Sequence, residues 1–239
     1  MTVDREPLRS LSIVIPAYNE EKRLPSTLDR VLSWVGGKGF EFSEIIVVDD
    51  GSTDGTAAVA ENRGCVRLLR NPGNRGKGYA VRHGMLEARG EWVLYSDADL
   101  SAPIEDADVL YRAAVQADAV IAIGSRAVDR SLVSVHQSSF REWSGRAFNL
   151  IMRLVTGLPF EDTQCGFKLY RRDAAQTVFS RQKLDGFSFD VEDLYIARRA
   201  GLKAIEVPVH WANVEGTKVS MMQGVKSFGD LLKIRFGSK

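Results

Sequence analysis

The chain has 239 residues, of which 44% are hydrophobic and 26% charged, with 32 Lys and Arg residues against 31 Asp and Glu residues. This composition excludes a disordered protein, a collagen and a coiled coil. The net charge of +1 predicts no nucleic-acid partner, because nucleic-acid-binding domains usually carry a strongly basic surface. Cys65 and Cys165 are too few for a disulfide framework, so they predict reduced thiols in a cytoplasmic protein.

The sequence gives no sign of a membrane-spanning segment. No stretch approaches the roughly 18 consecutive apolar residues that such a helix requires. The first ten residues include Asp4, Arg5 and Glu6 and lack the apolar core of a signal peptide. We therefore expect any contact with a membrane to be made at its surface.

The first 125 residues alternate short apolar runs with segments of helical spacing. Strands are predicted at Leu11–Ile15, Ile45–Val48, Val66–Leu69, Trp92–Tyr95 and Ala119–Ile123. Helices are predicted between them, at Glu20–Val35, Thr53–Asn62, Gly76–Ala88 and Pro103–Gln116, the last with Ser101 as its N-cap. This alternation predicts an α/β fold with a mainly parallel sheet and right-handed crossovers.

The second half of the chain has longer helical patterns and fewer strands. Amphipathic helices are predicted at Ser138–Leu158, Val191–Ala200 and Met221–Phe236, and strands at Phe167–Tyr170 and Ala204–Val207. No linker, repeat or low-complexity segment separates this half from the first. We therefore predict one domain over residues 1–239, in which the second half extends the sheet of the first.

Acidic turns follow three of the predicted strands. They are Pro16–Glu20 after the first strand, Asp49–Thr56 after the second and Ser96–Leu100 after the fourth. In an open parallel sheet, ligands bind beyond the carboxyl ends of the strands, so these turns are expected to meet at one edge. Clustered carboxylates are costly unless a cation or hydrogen-bond donors compensate them.

Asp97 and Asp99 are the candidate metal ligands of this edge. Residues two apart at the end of a strand point the same way, so both carboxylates can face one ion. Their hard oxygen atoms suit Mg2+ or Mn2+. The alternative is that Asp99 or Ser101 merely caps the following helix.

The turn from Asp49 to Thr56 has two interpretations. Asp, Gly, Ser and Thr are common turn residues, and Asp54 could cap a helix. Two adjacent acids, Asp49 and Asp50, nevertheless exceed what a turn needs, and a carboxylate at this place can accept a hydrogen bond from a ribose hydroxyl or a base N–H.

The loop Gly73–Gly78 resembles a phosphate-binding loop but matches neither the Walker A pattern nor the dinucleotide fingerprint. It opens a helix and carries Arg75 and Lys77, so it can still meet an anion.

Together these segments resemble the family 2 glycosyltransferases, which have the GT-A fold. The resemblance rests on Ile15–Glu20, Val47–Asp54, Asn74–Gly78 and Asp97–Asp99, in this order and spacing. It implies a Rossmann-like, mainly parallel sheet flanked by helices, with a nucleotide-sugar half at about 10–125 and an acceptor half at about 126–239. The donor-binding residues that it implies are Pro16, Ala17, Tyr18, Glu20, Asp49, Asp50, Gly51, Ser52, Asp54, Asn74, Lys77 and Ala98.

Segments of the second half are similar to the polyprenyl-phosphate sugar transferases, and most of all to the dolichyl-phosphate β-glucosyltransferases. They are Gly124–Ala127, Gln137 with Arg141, Asp162–Lys168, Phe187–Glu192 and Val214–Val219. The related mannosyl enzymes usually have an Arg in one loop of this half. The corresponding segment here, between Val207 and Lys218, contains no Arg. One departure is Leu100, where the eukaryotic glucosyl enzymes tend to have Gly. Another departure is that relatives carry membrane-spanning helices, whereas no stretch of this sequence has the apolar length of one.

The resemblance implies an inverting, metal-dependent transfer of a hexose, glucose from UDP-glucose, onto a polyprenyl or dolichyl phosphate. Asp97 and Asp99 would hold Mg2+ or Mn2+ beside the departing diphosphate. The acceptor phosphate is already ionised near neutral pH, so it needs cations rather than a base. The implied acceptor-binding residues are Arg126, Gln137, Arg141, Gln164 and Lys218, and Asp190 lies near the reaction.

Other activities stay open from the sequence. A family 2 transferase that uses GDP-mannose or a hydroxyl acceptor is the main alternative, and a hydroxyl acceptor requires a base such as Asp190, Glu192 or Asp193. A nucleotidyltransferase and a non-catalytic nucleotide-sugar binder are the others. A lipid acceptor implies the cytoplasmic face of a membrane, reached directly by amphipathic helices or through a membrane-anchored partner protein.

Overall fold

The computed structural model describes residues 7–135, 152–153, 155–212, 230 and 234–235. The predicted helices Ser138–Leu158 and Met221–Phe236 lie largely outside the described residues. In the first, residues 152, 153, 155 and 156 are described and helical. In the second, Asp230, Ile234 and Arg235 are described and helical.

Nine strands and six α-helices occur in the described residues. The strands are β1 (Ser10–Ala17), β2 (Phe42–Asp49), β3 (Val66–Arg70), β4 (Trp92–Ser96), β5 (Ile121–Ser125), β6 (Val133–Val135), β7 (Phe167–Arg171), β8 (Ala204–Pro208) and β9 (Trp211–Ala212). The helices are α1 (Leu24–Gly36), α2 (Thr56–Glu61), α3 (Lys77–Glu87), α4 (Ala107–Ala117), α5 (Arg172–Phe179) and α6 (Phe189–Arg199).

Strands from both halves of the chain form one seven-stranded sheet in the order β3-β2-β1-β4-β7-β5-β8. All neighbouring strands are parallel except at β7, which runs antiparallel to both β4 and β5. The chain moves outward from β1 to β3 and then returns to β4 on the other side of β1. Such a reversal of strand order creates a crevice at the carboxyl ends of β1 and β4, where ligands bind in open α/β sheets.

Both faces of the sheet are covered by helices, which explains why its strands are nearly continuous apolar runs. Val14 packs into a layer with residues of α3, α5 and α6. The neighbouring Ile13 and Ile15 pack into the opposite layer, with residues of α1, α2 and α4. This alternation follows from the period of two along a strand, and it fixes which side chains reach each face.

All five strands predicted in the first half are present, as are the strands at β7 and β8. The predicted helix Pro103–Gln116 differs, because it begins as a short 3-10 helix at Ile104–Asp106 and becomes α4 only at Ala107. Ser101 is therefore not its N-cap. The pattern also misses α5, an eight-residue helix with only four apolar residues, two of which are alanine.

Candidate active site

The turn after β1 and the turn after β2 are joined by hydrogen bonds at the edge of the sheet. Asn19 N–H donates to Ser52 Oγ (2.9 Å), and Thr53 N–H donates to Asn19 Oδ1 (2.8 Å). Asn19 has a φ of +54°, a left-handed conformation that asparagine tolerates well. Tyr18 beside it is 36% exposed, and it therefore offers an aromatic surface at the mouth of the crevice.

Asp50, a predicted donor ligand, contacts the protein with both carboxylate oxygens. Its Oδ1 accepts from Asn71 Nδ2 (2.7 Å) and Arg75 N–H (3.1 Å), and its Oδ2 accepts from Gly76 N–H (2.8 Å). Asp50 is also buried. Its carboxylate therefore holds the loop before α3 in place.

Asp49 and Asp54 also contact neighbouring main chain. Asp49 accepts from Ser52 N–H (3.1 Å) and is buried where β2 ends. Asp54 accepts from Thr56 N–H (3.0 Å) and from the Glu21 N–H (3.3 Å). Burial raises the pKa of Asp54, but the hydrogen bonds from Thr56 outweigh this and leave the pKa lowered. Asp54 therefore orders the turn before α2, but it is not the cap of that helix, whose N-cap residue is Gly55.

Glycine residues allow the loops of this edge to approach one another closely. Gly51 has a φ of +73°, and a Cβ at this position would overlap the backbone of Gly73. Gly78, near the start of α3, lies against Leu184, and its N–H donates to Asp185 O (2.8 Å). The first N–H groups of α3 are therefore partly used by the protein.

Lys77 and Asp97 form an ion pair in the middle of the crevice. The distance from Lys77 Nζ to Asp97 Oδ1 is 2.8 Å, and both side chains are 24% exposed. Tyr95 donates its hydroxyl to the same Asp97 oxygen (2.8 Å). Burial lowers the pKa of Lys77, but the carboxylates of Asp97 and Asp190 outweigh it and raise the pKa overall, so the ammonium stays charged.

Asp97 and Asp99 both lie at the end of β4, as predicted. Asp99 Oδ1 accepts from Ser101 N–H (3.0 Å), so this carboxylate also orders the turn. Ala98 between them is buried, and its carbonyl accepts from Thr27 Oγ1 (2.6 Å). Leu100 has a φ of +46°, a region that favours glycine. A glycine at this position would adopt the same conformation with less strain.

Glu20 lies in the turn before α1 and pairs with Arg23. The carboxylate accepts from Arg23 Nε (2.6 Å) and Nη2 (2.7 Å). The hydrogen bonds to Glu20 raise the pKa of Arg23, and the charge of Asp99 adds to this effect. A guanidinium is therefore fixed near Asp99.

The acids at the start of α6 are buried, whereas the sequence left open an exposed first helical turn. Asp190 forms an ion pair with Lys168, whose side chain is fully buried. Burial raises the pKa of Asp190 against the opposing charges of Lys168 and Lys77. Glu192 accepts from Leu184 N–H (2.7 Å) and thereby orders the segment that contacts α3, and burial raises its pKa.

Asp193 is the most deeply enclosed of these acids. It is fully buried, and neither carboxylate oxygen has a hydrogen-bond donor among the described residues. Burial raises its pKa well above the usual value, and the charge of Lys168 only partly opposes this. Asp193 therefore belongs to the interior of the protein and not to the crevice.

Arg126, predicted to bind the acceptor, is held by Asp162. Arg126 Nε and Nη2 donate to the two Asp162 oxygens (2.6 and 2.8 Å), and the guanidinium lies 4.8 Å from the centre of the Trp211 ring. Burial raises the pKa of Asp162, but the charge of Arg126 outweighs it and leaves the pKa lowered. The bidentate face of this arginine is thus used within the protein.

Of the remaining predicted acceptor ligands, the structure describes only one. Gln164 is exposed on the loop between Asp162 and β7. Gln137, Arg141 and Lys218 lie outside the described residues.

Sequence reasoning missed the roles of Tyr95, Lys168 and Asp162. Tyr95 and Lys168 face each other across β4 and β7. Each read as an ordinary strand residue, and only the pairing of these strands brings Lys168 to Asp190. A lysine within an apolar strand was the one signal available, because a buried lysine almost always has a partner.

The described residues fit a divalent cation that is bound mainly by substrate and water. They contain no group of three or more His, Cys, Asp or Glu side chains arranged as a metal cage. Asp97 and Asp99 supply two hard ligands, and Mg2+ commonly takes one or two carboxylates together with phosphate oxygens and water. Gly166 makes room for the Asp97 carboxylate itself, because a Cβ there would overlap it.

Comparison with known proteins agrees with this geometry. The sequence profile described as Glycosyl transferase family 2 matches residues 12–179. The dolichyl-phosphate β-glucosyltransferase of Drosophila melanogaster is 40% identical over 235 residues, which cover 92% of this chain and 72% of the relative. That of Homo sapiens is 37% identical and covers 96% of this chain and 76% of the relative.

Solved structures share the fold at low sequence identity. A glucosyl-3-phosphoglycerate synthase from Mycobacterium tuberculosis, in complex with Mn2+, UDP-glucose and phosphoglyceric acid, matches with a TM-score of 0.69 and 18% identity over 96% of this chain and 79% of that chain. A mannosyl-3-phosphoglycerate synthase from Rubrobacter xylanophilus matches with a TM-score of 0.71 and 16% identity, over 95% of this chain and 72% of that chain.

These findings confirm the predicted GT-A fold and the predicted kinship with hexosyltransferases named as dolichyl-phosphate β-glucosyltransferases. The family match covers the four turns on which the sequence argument relied. This chain belongs to glycosyltransferase family 2.

Proposed function

We propose that this protein transfers glucose from UDP-glucose onto the phosphate of dolichol or a related polyprenol, with inversion at the anomeric carbon. The observation that carries the proposal is the charge arrangement of the crevice, in which Asp97 and Asp99 follow β4 and Lys77 pairs with Asp97 at 2.8 Å. Relatives that share 34–40% of their residues with this chain are named for this transfer, which supports the choice of sugar and acceptor.

The donor would lie across the turns after β1, β2 and β4. Asp97 and Asp99 would hold Mg2+ or Mn2+, which when bound offsets the negative charge of the departing diphosphate. The turn ordered by Asn19 and Ser52, together with Tyr18, would receive the nucleoside, with Asp49 at the end of β2 beside it. Lys77 would supply a further positive charge to the diphosphate.

The proposed acceptor is a phosphate, which agrees with the state of the three candidate bases. Asp190 is paired with Lys168, Glu192 accepts from main-chain N–H groups, and Asp193 is fully buried. A hydroxyl acceptor would need one of them to remove its proton. A phosphate, with a second pKa of about 6, arrives ionised and can attack without a base.

Cations must hold that phosphate without enclosing it completely. Arg126 contacts Asp162 through Nε and Nη2, and we propose that its Nη1, on a side chain 31% exposed, meets the acceptor. We keep Gln137, Arg141, Gln164 and Lys218 as further proposed acceptor ligands. Asp162 would then serve to orient Arg126.

The acceptor is a lipid, so the protein must work at a membrane surface. No α-helix among the described residues has both the length and the apolar character to cross a bilayer. We propose peripheral attachment at the cytoplasmic face, with the basic amphipathic pattern of Met221–Phe236 as the contacting segment. A membrane-anchored partner protein would serve the same purpose.

A two-phase transfer assay tests this function. Purified protein is mixed with Mn2+, a polyprenyl phosphate and radiolabelled UDP-glucose or GDP-mannose, and the label that enters the organic phase is counted. We expect label from UDP-glucose, reduced at least about a hundredfold in Asp99→Ala, since loss of one preorganised electrostatic contact costs that much. The variant Glu105→Gln, in an exposed pair with Arg30, is the matched control and should keep wild-type activity.

Three outcomes would contradict the proposal in different ways. Label from GDP-mannose alone would keep the reaction type and overturn the sugar. Unchanged transfer in Asp99→Ala would overturn the metal ligand. Nucleotide binding without transfer from either donor would overturn the phosphate acceptor and direct attention to hydroxyl acceptors.

A further inference from the structure

We propose that Lys77 is an exchangeable counter-cation of Asp97. In the free protein its ammonium occupies the carboxylate that the divalent cation needs, and when metal and donor arrive it leaves this carboxylate for the donor diphosphate. The inference rests on the proposed function, because that function supplies the metal and the diphosphate.

The surroundings of Asp97 leave little room for an additional cation. Its Oδ1 already accepts from Lys77 Nζ and from the Tyr95 hydroxyl, both at 2.8 Å. Its Oδ2 faces Gly166 so closely that a Cβ at that residue would overlap the carboxylate. A cation that binds Asp97 through Oδ1 must therefore take the place of one of these two donors.

Of these two donors, Lys77 is the one able to leave. Tyr95 is fully buried within β4, and it packs edge-to-face against Phe189. The Lys77 side chain keeps 24% of its surface exposed and ends in a compact charge on a flexible four-carbon chain. Its nitrogen lies 5.7 Å from the Phe187 ring centre, so it is held by contacts that a rotation can release.

The backbone near Lys77 favours movement of the side chain alone. Gly78 N–H and Tyr79 N–H both donate to Asp185 O, at 2.8 and 3.3 Å, and fix the first turn of α3. Lys77 is the first residue of this helix and lies at its positive end. The ammonium can therefore move between a carboxylate and a phosphate while the helix stays in place.

Charge gives the exchange its direction. The carboxylates of Asp97, Asp190 and Asp99 all favour the charged form of Lys77. Asp190 already pairs with Lys168, so Asp97 is the acid that Lys77 directly neutralises. A divalent cation on Asp97 would repel that ammonium at short range. The diphosphate of the donor then offers Lys77 a new anionic partner.

The exchange predicts effects of opposite sign in a single variant. In Lys77→Met, Mn2+ added without nucleotide should bind about tenfold more tightly than in the wild type, because one unit of nearby positive charge is gone. The same variant should bind UDP with Mn2+ about tenfold more weakly, because a charge-assisted contact to the diphosphate is lost. Electron paramagnetic resonance of free Mn2+ and calorimetry of UDP binding measure the two quantities.

Two further variants separate exchange from a general change in charge. Lys77→Arg keeps the positive charge and should keep the weak Mn2+ binding of the wild type. Arg75→Gln removes an equal charge from the same loop, where the guanidinium lies 4.8 Å from the Tyr79 ring centre. It should tighten Mn2+ binding no more than about twofold, as expected for a charge that solvent screens. Circular dichroism and thermal unfolding verify that each variant is folded.

If the wild-type protein transfers glucose but Lys77→Met binds Mn2+ no more tightly than the wild type does, the exchange is overturned and the proposed function is not. Equal tightening by Arg75→Gln would also overturn the exchange, since bulk charge would then explain the effect. Failure of the wild type to bind Mn2+ even with UDP present would instead overturn the metal dependence of the proposed function.

Discussion

Two ion pairs of the candidate active site use the same kinds of charge in different ways. At the proposed donor side, Lys77 meets one oxygen of Asp97, and both side chains are 24% exposed. At the proposed acceptor side, Arg126 binds both oxygens of Asp162, which is only 8% exposed, and stacks on Trp211 at 4.8 Å. The first pair has a single contact, and both of its side chains are reached by solvent. The second pair has several contacts, and its acid is almost completely shielded from solvent.

The difference follows from the chemistry of the two cations. A lysine ammonium is a point charge on a flexible chain, so it can exchange one anion for another at small cost. A guanidinium in a bidentate, stacked arrangement is fixed in direction, and Asp162 depends on it because a buried carboxylate is costly without a partner. We infer that the donor side is built for exchange of charge and the acceptor side for fixed orientation.

The largest expected effect is on stability and breaks the fixed pair. Arg126→Met should lower the free energy of unfolding by about 3 kcal/mol or more, because it leaves Asp162 buried without its cation. Lys77→Met should lower it by about 1 kcal/mol or less, because Asp97 is reached by solvent. Urea denaturation of both variants at pH 7 measures the difference. The double variant Arg126→Met/Asp162→Leu should recover part of the loss, and a smaller loss for Arg126→Met than for Lys77→Met would contradict the comparison.

An intermediate effect comes from Asp193, a third carboxylate with neither kind of partner among the described residues. Burial raises its pKa, so the folded state binds its proton more tightly than the unfolded state does. Its contribution to stability is therefore present at low pH and is lost as the pH rises through the folded-state pKa.

Asp193→Asn should remove this dependence. We expect the variant to be more stable than the wild type by about 1–3 kcal/mol at pH 7, because the wild type must then bury the Asp193 charge or take up a proton on folding. The advantage should vanish below about pH 4, near the pKa of an unfolded aspartate. Denaturation curves between pH 4 and pH 8 supply the test, and a constant difference across this range would refute it.

The smallest expected effect compares two tyrosines in paired strands. Tyr95 donates its hydroxyl to Asp97, whereas the buried hydroxyl of Tyr170 contacts no hydrogen-bonding group in the described part of the chain. Tyr95→Phe should cost about 1 kcal/mol of unfolding free energy, and Tyr170→Phe should be neutral or stabilising. Thermal unfolding of the two variants side by side measures this, and an equal loss in both would show that the hydroxyl of Tyr95 does not support Asp97.

Much of the fold was accessible from local sequence patterns. Apolar runs of four or five residues identified β1 to β5, because strands covered on both faces need continuous hydrophobicity. The acidic turns were also recognisable, since strand ends and turn residues are local signals. The antiparallel direction of β7 and the helix α5 were not, because they depend on pairing and packing between distant segments.

The candidate site divides along the same line. Which residues would reach the carboxyl edge of the sheet was determined by the sequence, because strand order and period place Asp97, Asp99 and Asn19 there. What each carboxylate does there was decided by tertiary contacts. Asp50 orders the loop before α3, Asp190 pairs with Lys168, and Asp162 fixes Arg126. The physical reason is that the role of a buried charge is defined by its partner, and these partners lie 22 to 36 residues away along the chain.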